Sequence, residues 1–250
     1  KVKLAISPTQ FVNSKNNIFQ LSGISNSRTI LCNENGYYSE YQSDKYGFNN
    51  PNNVWNVEQI EYVIIGDSYA QGSCVNRPND IASILRKLSK KEVINLGYGG
   101  NGPLIEYATL REYMPNNVKK IIWLYYEGND LKDLSFELNN SVLQKYLTDL
   151  DFSQNLKEKQ RFIDEKLNIH LNEYIKGQEK NDKKYSLINI LKLSKFRGEL
   201  SYLLPKKHQP NETRPYEDFK EILKISKLLA LKNQSELYFI YIPEFNRYKA

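Results

Sequence analysis

From Glu61 onward the chain alternates short apolar runs with stretches of helical spacing. Four strand-length runs stand out, "YVIIGDS", "VINLGYGG", "KIIWLYYEGND" and "ELYFIYIPE", each closing on turn-forming or charged residues. Between the first two, "NDIASILRKLSKK" offers Asn79 or Asp80 as a cap and sets Ile81, Ile84, Leu85 and Leu88 at helical spacing. After the second, "GPLIEYATLREYM" puts Pro103 at a first helical position, where its missing N–H costs nothing. Alternation of this kind predicts an α/β fold with helices on both faces of a parallel sheet, a three-layer arrangement.

The flanking texture is different. Residues 1–56 are rich in Asn, Ser and Tyr and carry turn signals such as "CNENGYY" and "YGFNNPNN", which predicts an irregular N-terminal segment with short strands. Phe11, Phe19, Tyr46, Phe48 and Trp55 are too many aromatics for a free linker, so the segment is expected to pack on the main domain, residues 57–250. Within that domain, residues 131–215 break the strand–helix rhythm with a long charged stretch, read as a largely helical insertion or cap. Leu143, Tyr146, Leu147 and Leu150 have helical spacing there, and "GQEKNDKKYS" reads as a loop. Pro205, Pro210 and Pro215 mark an irregular return to the helix "YEDFKEILKISKLLALK".

Composition narrows the class. With 250 residues, 40% of them hydrophobic, the chain can bury one sizeable core. The net charge of +6 comes from 35 basic and 29 acidic residues that are interspersed, as in "NLKEKQRFIDEK". That is the pattern of a solvated helical face and not of a nucleic-acid surface, leaving Lys-Lys pairs at 119, 183 and 206 as a weak case for anionic polymers or membrane surfaces. Cys32 and Cys74 form no CxxC and no cluster with His170 and His208, which argues against structural zinc and leaves an oxidised pair open. The apolar runs are too short to span a membrane, and the first residues lack the apolar core of a signal peptide. A membrane link is expected only through an anchor outside this chain, and localisation and oligomeric state stay open.

Three of the expected loops lie at carboxyl ends of strands, where parallel sheets bind ligands: Gly66-Asp67-Ser68, Gly97 to Gly102, and Gly128-Asn129-Asp130. Ser68, directly after a buried strand, is placed as a nucleophile would be, although G-D-S-Y-A is not the G-x-S-x-G elbow of α/β-hydrolases. The alternative is one turn residue among many. Gly100 could donate a backbone N–H and Asn129 a side-chain amide to an oxyanion, or they could serve only as a turn into a helix and as a helix cap. Gly97, Gly99 and Gly102 also spell G-x-G-x-x-G, the spacing that cradles a dinucleotide pyrophosphate. Pro103 removes an N–H at that point, which weakens the dinucleotide reading.

Taken together, "IIGDSYAQG", "INLGYGGNG" and "YYEGNDL" resemble the three leading blocks of the SGNH hydrolases, the GDSL family of lipases, esterases and carbohydrate acetyl-transfer enzymes. The resemblance covers about residues 57 to 134. It implies a flavodoxin-like SGNH fold in which Ser68 attacks an acyl carbonyl while the N–H groups of Ser68 and Gly100 and the amide of Asn129 hold the oxyanion. Asp67 and Asp130 are expected to brace the loops. No metal or organic cofactor is implied; the substrate implied is a small-molecule or carbohydrate ester, such as an acetyl group on an envelope carbohydrate, with hydrolysis and transfer both open. "YGFNNP" and "EGND" resemble envelope-associated members more loosely.

The family completes its triad with a D-x-x-H block that this sequence lacks. His170 and His208 read as surface residues. The block is expected after "YIPEFNRYKA", in an incomplete piece of an active enzyme; a naturally shortened, inactive member is the alternative. A non-catalytic binding or assembly module that keeps the fold is the competing functional class.

Overall fold

The computed structural model describes residues 2–14, 17–33, 36–189 and 215–248. Lys1–Leu167 with Arg214–Ala250 form one compact unit, and Asn168–Thr213 form a second. The first unit holds four parallel strands, β4 (Ile60–Gly66), β5 (Val93–Asn95), β6 (Val118–Tyr126) and β7 (Glu236–Ile242), in the order β5-β4-β6-β7. The chain passes from β4 outward to β5 and then crosses back to β6. Such a reversal opens a crevice at the carboxyl ends of the two central strands.

Helices flank the sheet on both faces, as the alternating pattern predicts. Ser68–Gln71 (α1) and Ile81–Ser89 (α2) cover one face, where Ala70 and Ala82 join Ile64, Val93 and Leu124 in a buried cluster. On the opposite face lies Pro103–Tyr113 (α3), whose residues are nearly all buried; the Trp123 indole N–H donates to Glu106 of this helix at 2.5 Å. Asp80 caps α2 by accepting from the Ser83 N–H, but the apolar face read from its sequence is not an inward face. Ile81, Ile84 and Leu88 are exposed, and Leu85 alone of the four packs against the cluster. Ala82 is the residue of α2 buried against the sheet.

The stretch after β6 forms Asp130–Glu137 (α4), Ser141–Thr148 (α5) and a long helix, Gln160–Asn189 (α6). Leu134, Val142, Leu143, Tyr146, Leu156 and Ile163 are buried within the first unit, while Leu150 lies past the end of α5 and is exposed. Residues 177–186, read from sequence as a loop, belong to α6. Their Glu, Gln and Lys residues are good helix formers and outweigh the single Gly177. Pro205, Pro210 and His208 lie outside the described residues. Pro215 then precedes Tyr216–Lys232 (α7), which leads to β7 and to the short Phe245–Tyr248 (α8).

The N-terminal segment forms its own small sheet, β1 (Lys3–Leu4), β2 (Arg28–Cys32) and β3 (Ser39–Gln42), in sequence order. Its attachment to the main sheet is polar as well as aromatic. Buried Asp44 accepts from the Tyr46 and Phe48 N–H groups, the Asn50 amide and the Trp55 indole. Asn50 in turn pairs with the Asn95 backbone in both directions, and the Phe48 ring meets Tyr113 of α3 edge-on at 4.9 Å. Cys32 and Cys74 are joined in a disulfide that ties β2 to the loop after α1.

Candidate functional site

At the carboxyl end of β4 the backbone turns sharply through Gly66, at φ +147°. A side chain there would meet the Leu124 carbonyl oxygen at 2.6 Å, so the turn requires glycine. Asp67 then caps α1, accepting from the Tyr69 N–H at 3.0 Å, and Ser68 becomes the first helical residue. The Ser68 hydroxyl donates to the Asp67 carboxylate at 3.3 Å. The local design lifts the serine clear of the strand while its neighbours Ala70 and Gln71 stay buried.

The second loop is fastened to the first from below. Asn95, at the end of β5, donates to the Ala70 carbonyl at 2.6 Å and accepts from the Gly97 N–H at 2.8 Å. Gln71 accepts from the Gly99 N–H at 2.7 Å. Gly97 must be glycine because a Cβ there would stand 2.3 Å from that of Ala70. Gly100, with φ +80°, turns past Ser7 and Thr9 of the N-terminal segment. These contacts bring the second loop beside Ser68.

The third loop brings Asn129 to the same place. Asn129 precedes α4, and its side-chain amide donates to Asp133 at 2.6 Å, one helical turn on. Asp130 accepts from the Tyr126 N–H at 2.7 Å, which fixes the end of β6. Asp67 and Asp130 therefore both brace loop backbone. A cavity of about 450 Å³ opens between the three loops, lined by Ser68, Gly100 and Asn129 together with Asp67, Tyr69, Ser73, Cys74 and Tyr126. No histidine lines it among the described residues.

A layer of buried carboxyls lies beneath. Burial pushes Asp130 up to about 9, with the nearby charge of Asp67 adding to the shift. Glu106 is driven upward by burial first and by Asp130 and Asp67 second. Asp67 is raised by burial, opposed by the Tyr69 and Ser68 N–H groups and by the Ser68 and Asn129 side chains. Several acids this close in a poorly hydrated space cannot all ionise, so the cluster holds protons at neutral pH. One oxygen each of Glu106 and Asp130 has no hydrogen-bond partner.

The G-x-G-x-x-G stretch has a different role from cradling phosphate. At the start of α3, Glu137 of α4 accepts from the Gly102, Leu104 and Ile105 N–H groups at 2.6, 2.9 and 3.3 Å. Pro103, which has no N–H, is skipped. A protein carboxylate thus occupies the anion position that a helix N-terminus offers. Burial raises Glu137 to about 8 against the pull of these three donors.

Sequence reading found Ser68, Gly100 and Asn129 but not the residues that hold them. Asn95 and Gln71 look like ordinary polar residues until the loops are adjacent in space. Asp133 carried a usable signal, its i,i+4 spacing from Asn129 on a helix. His170 lies in the second unit. No protein-family model, no curated protein and no solved structure matches this chain.

Proposed function

We propose that this chain carries the nucleophile and oxyanion machinery of an SGNH-type serine esterase or O-acyltransferase. The observation that carries the reading is the convergence of Ser68, Gly100 and Asn129, from the ends of three different parallel strands, on one cavity. In this reading the Ser68 Oγ attacks an acyl carbonyl and gives up its proton to a base. Negative charge moves to the carbonyl oxygen, where the Ser68 and Gly100 N–H groups and the Asn129 amide receive it. The alcohol leaves with a proton, and water or a second alcohol resolves the acyl-serine. Asp133 supports this role by accepting from the Asn129 amide, which holds that side chain at the cavity.

In this reading the base is a histidine, which the family supplies from a D-x-x-H block. Asp67 is a poor substitute, because its carboxyl already caps α1 and a carboxylate beside the developing oxyanion opposes it. The disulfide supports an oxidising compartment such as a cell envelope. The dinucleotide reading is disfavoured by Glu137, which fills the phosphate position at α3. A second reading, a binding or assembly module that retains the fold, is favoured by the lack of a histidine among the described residues lining the cavity.

The test is cleavage of p-nitrophenyl acetate by the full-length protein. Ser68→Ala is expected to lower turnover by about 10³-fold or more. Unchanged turnover in that variant would remove Ser68 from the mechanism, and no turnover by the wild-type protein would favour the binding module.

A further inference from the structure

The second loop turns on two glycines in a row. The Asn101 N–H donates to the Tyr98 carbonyl at 3.2 Å, and Gly100, third of the four residues, has φ +80° while Gly99 before it lies outside the left-handed region. That is a type II turn. Type I differs from it mainly in the direction of the peptide unit between the two central residues, and with glycine at both places either direction costs little. The peptide unit concerned is the one that carries the Gly100 N–H. Whatever holds this turn in one form therefore aims the candidate oxyanion donor.

The holding contacts lead to a phenol of the N-terminal sheet. Gly99 donates its N–H to Gln71 Oε1 at 2.7 Å, and a Cβ on Gly99 would stand 3.7 Å from that of Ser68, so the turn abuts the candidate nucleophile at this residue. A glutamine amide offers one oxygen and one NH2, and with Oε1 taken by Gly99 the NH2 needs an acceptor of its own. It donates to the hydroxyl of Tyr41, in β3, at 3.3 Å, and both side chains are buried, out of reach of solvent. Tyr41 is itself anchored, since its hydroxyl pairs with that of Tyr98, which also meets the Ile6 backbone. Burial raises both phenols, Tyr98 to about 12, so both keep their protons at neutral pH.

We propose that Tyr41 is a positioning residue for the Gly100 donor: its hydroxyl, acting through Gln71, holds the turn from Tyr98 to Asn101 in the type II form. The N-terminal sheet then belongs to the working site and is more than a cover for the domain. The proposal rests on Gly100 serving the oxyanion in the Ser68 reaction.

The experiment measures p-nitrophenyl acetate cleavage by the full-length protein and, by NMR, the hydrogen exchange of the Gly99 amide. Tyr41→Phe removes the hydroxyl and keeps the ring. It is expected to lower kcat about tenfold with KM unchanged within about twofold, and to speed Gly99 exchange about tenfold. Gln71→Met, which removes the acceptor, should lower kcat further, and the double variant should match Gln71→Met within about twofold because Tyr41 acts through that residue. Tyr113→Phe, which removes another buried hydroxyl, bonded to Ser22, is expected to leave kcat unchanged; melting temperatures check that each variant is folded. Wild-type kcat in Tyr41→Phe, an equal fall in Tyr113→Phe, losses that add in the double variant, or Gly99 exchange at the wild-type rate would overturn the role of Tyr41. Cleavage that survives Ser68→Ala is a separate result: it ends the nucleophile reading, and Gly99 exchange then decides whether Tyr41 holds the turn.

Discussion

Strands β4 and β7 have similar apolar sequences and lie in one parallel sheet with only β6 between them. Their surroundings differ sharply: Val63, Ile64 and Ile65 are fully buried, whereas Tyr238, Phe239, Ile240 and Tyr241 are 41 to 47% exposed. β4 is central, with α1 and α2 over one face and α3 over the other. β7 is an edge strand; α7 reaches its Phe239 face through Phe219, and the Tyr238 and Ile240 face has no helix over it among the described residues. Register places the bare part of β7 beside the buried cluster under α2. Tyr238 aligns with Ile122 and Ile240 with Leu124, so all four point to the face covered by α2, whose own Ile84 and Leu88 are exposed. An apolar run reports that a strand can be buried on both faces; its neighbours decide whether it is.

The same contrast separates the site from the rest. All three loops that line the cavity follow strands on the covered side of the sheet, and their glycines other than Gly99 are fixed by contacts under 3 Å. The β7 end contributes mainly a link, the Glu244 N–H donating to Glu127 at 3.1 Å, with Arg247 also paired to Glu127. An exposed apolar edge with unpaired N–H and C=O groups is a place for another strand to add.

The largest expected effect breaks the comparison outright. Val63→Asp buries an unpaired charge and should cost more than about 4 kcal/mol, enough to leave the protein unfolded, whereas Ile240→Lys should change stability by no more than about 0.5 kcal/mol and raise solubility. Urea unfolding measures both. Equal destabilisation by the two would mean that β7 is covered in solution.

A smaller effect is expected where β4 ends. Gly66→Ala forces a Cβ against the Leu124 carbonyl at a φ that only glycine adopts freely, at a cost of about 3 kcal/mol. A melting temperature equal to the wild type would show that the turn before Ser68 is less constrained than its contacts indicate.

The last expected effect concerns protons. Asp130 has a folded pKa of about 9, against about 4 for a free carboxyl. Below about pH 4 both states are protonated and its contribution is fully present. As pH rises toward 9 the unfolded chain releases a proton that the folded chain keeps, so stability falls through that window. Glu137, raised to about 8, acts in the same direction. The urea midpoint is therefore expected to drop from pH 5 to pH 9, and Asp130→Asn should make the drop shallower by removing one titration. A midpoint that rises with pH would contradict the buried, protonated cluster.

The fold was legible where local chemistry decides it. The four apolar runs became the four strands, Asp80 and Pro103 marked their helix starts, and the N-terminal aromatics Phe19 and Phe48 reached the core. What depends on distant neighbours was not legible. The pairing of Cys32 with Cys74 joins positions 42 residues apart, and α6 runs on through Gly177 and the polar residues after it, which read as a loop. In the site, Ser68, Gly100 and Asn129 could be named from their loops. The carboxyls below them could not, because Glu106, Asp130 and Glu137 are unusual only through burial beside one another.

The most direct test of the central claim is capture of the acyl-serine. The full-length protein is mixed with p-nitrophenyl acetate, quenched in acid within one turnover and digested, and the peptide containing Tyr69 to Arg77 and Ser68 is weighed. The account predicts a mass increase of one acetyl group on Ser68, absent in Ser68→Ala. Ester cleavage that proceeds with Ser68 unmodified at every quench time would contradict it.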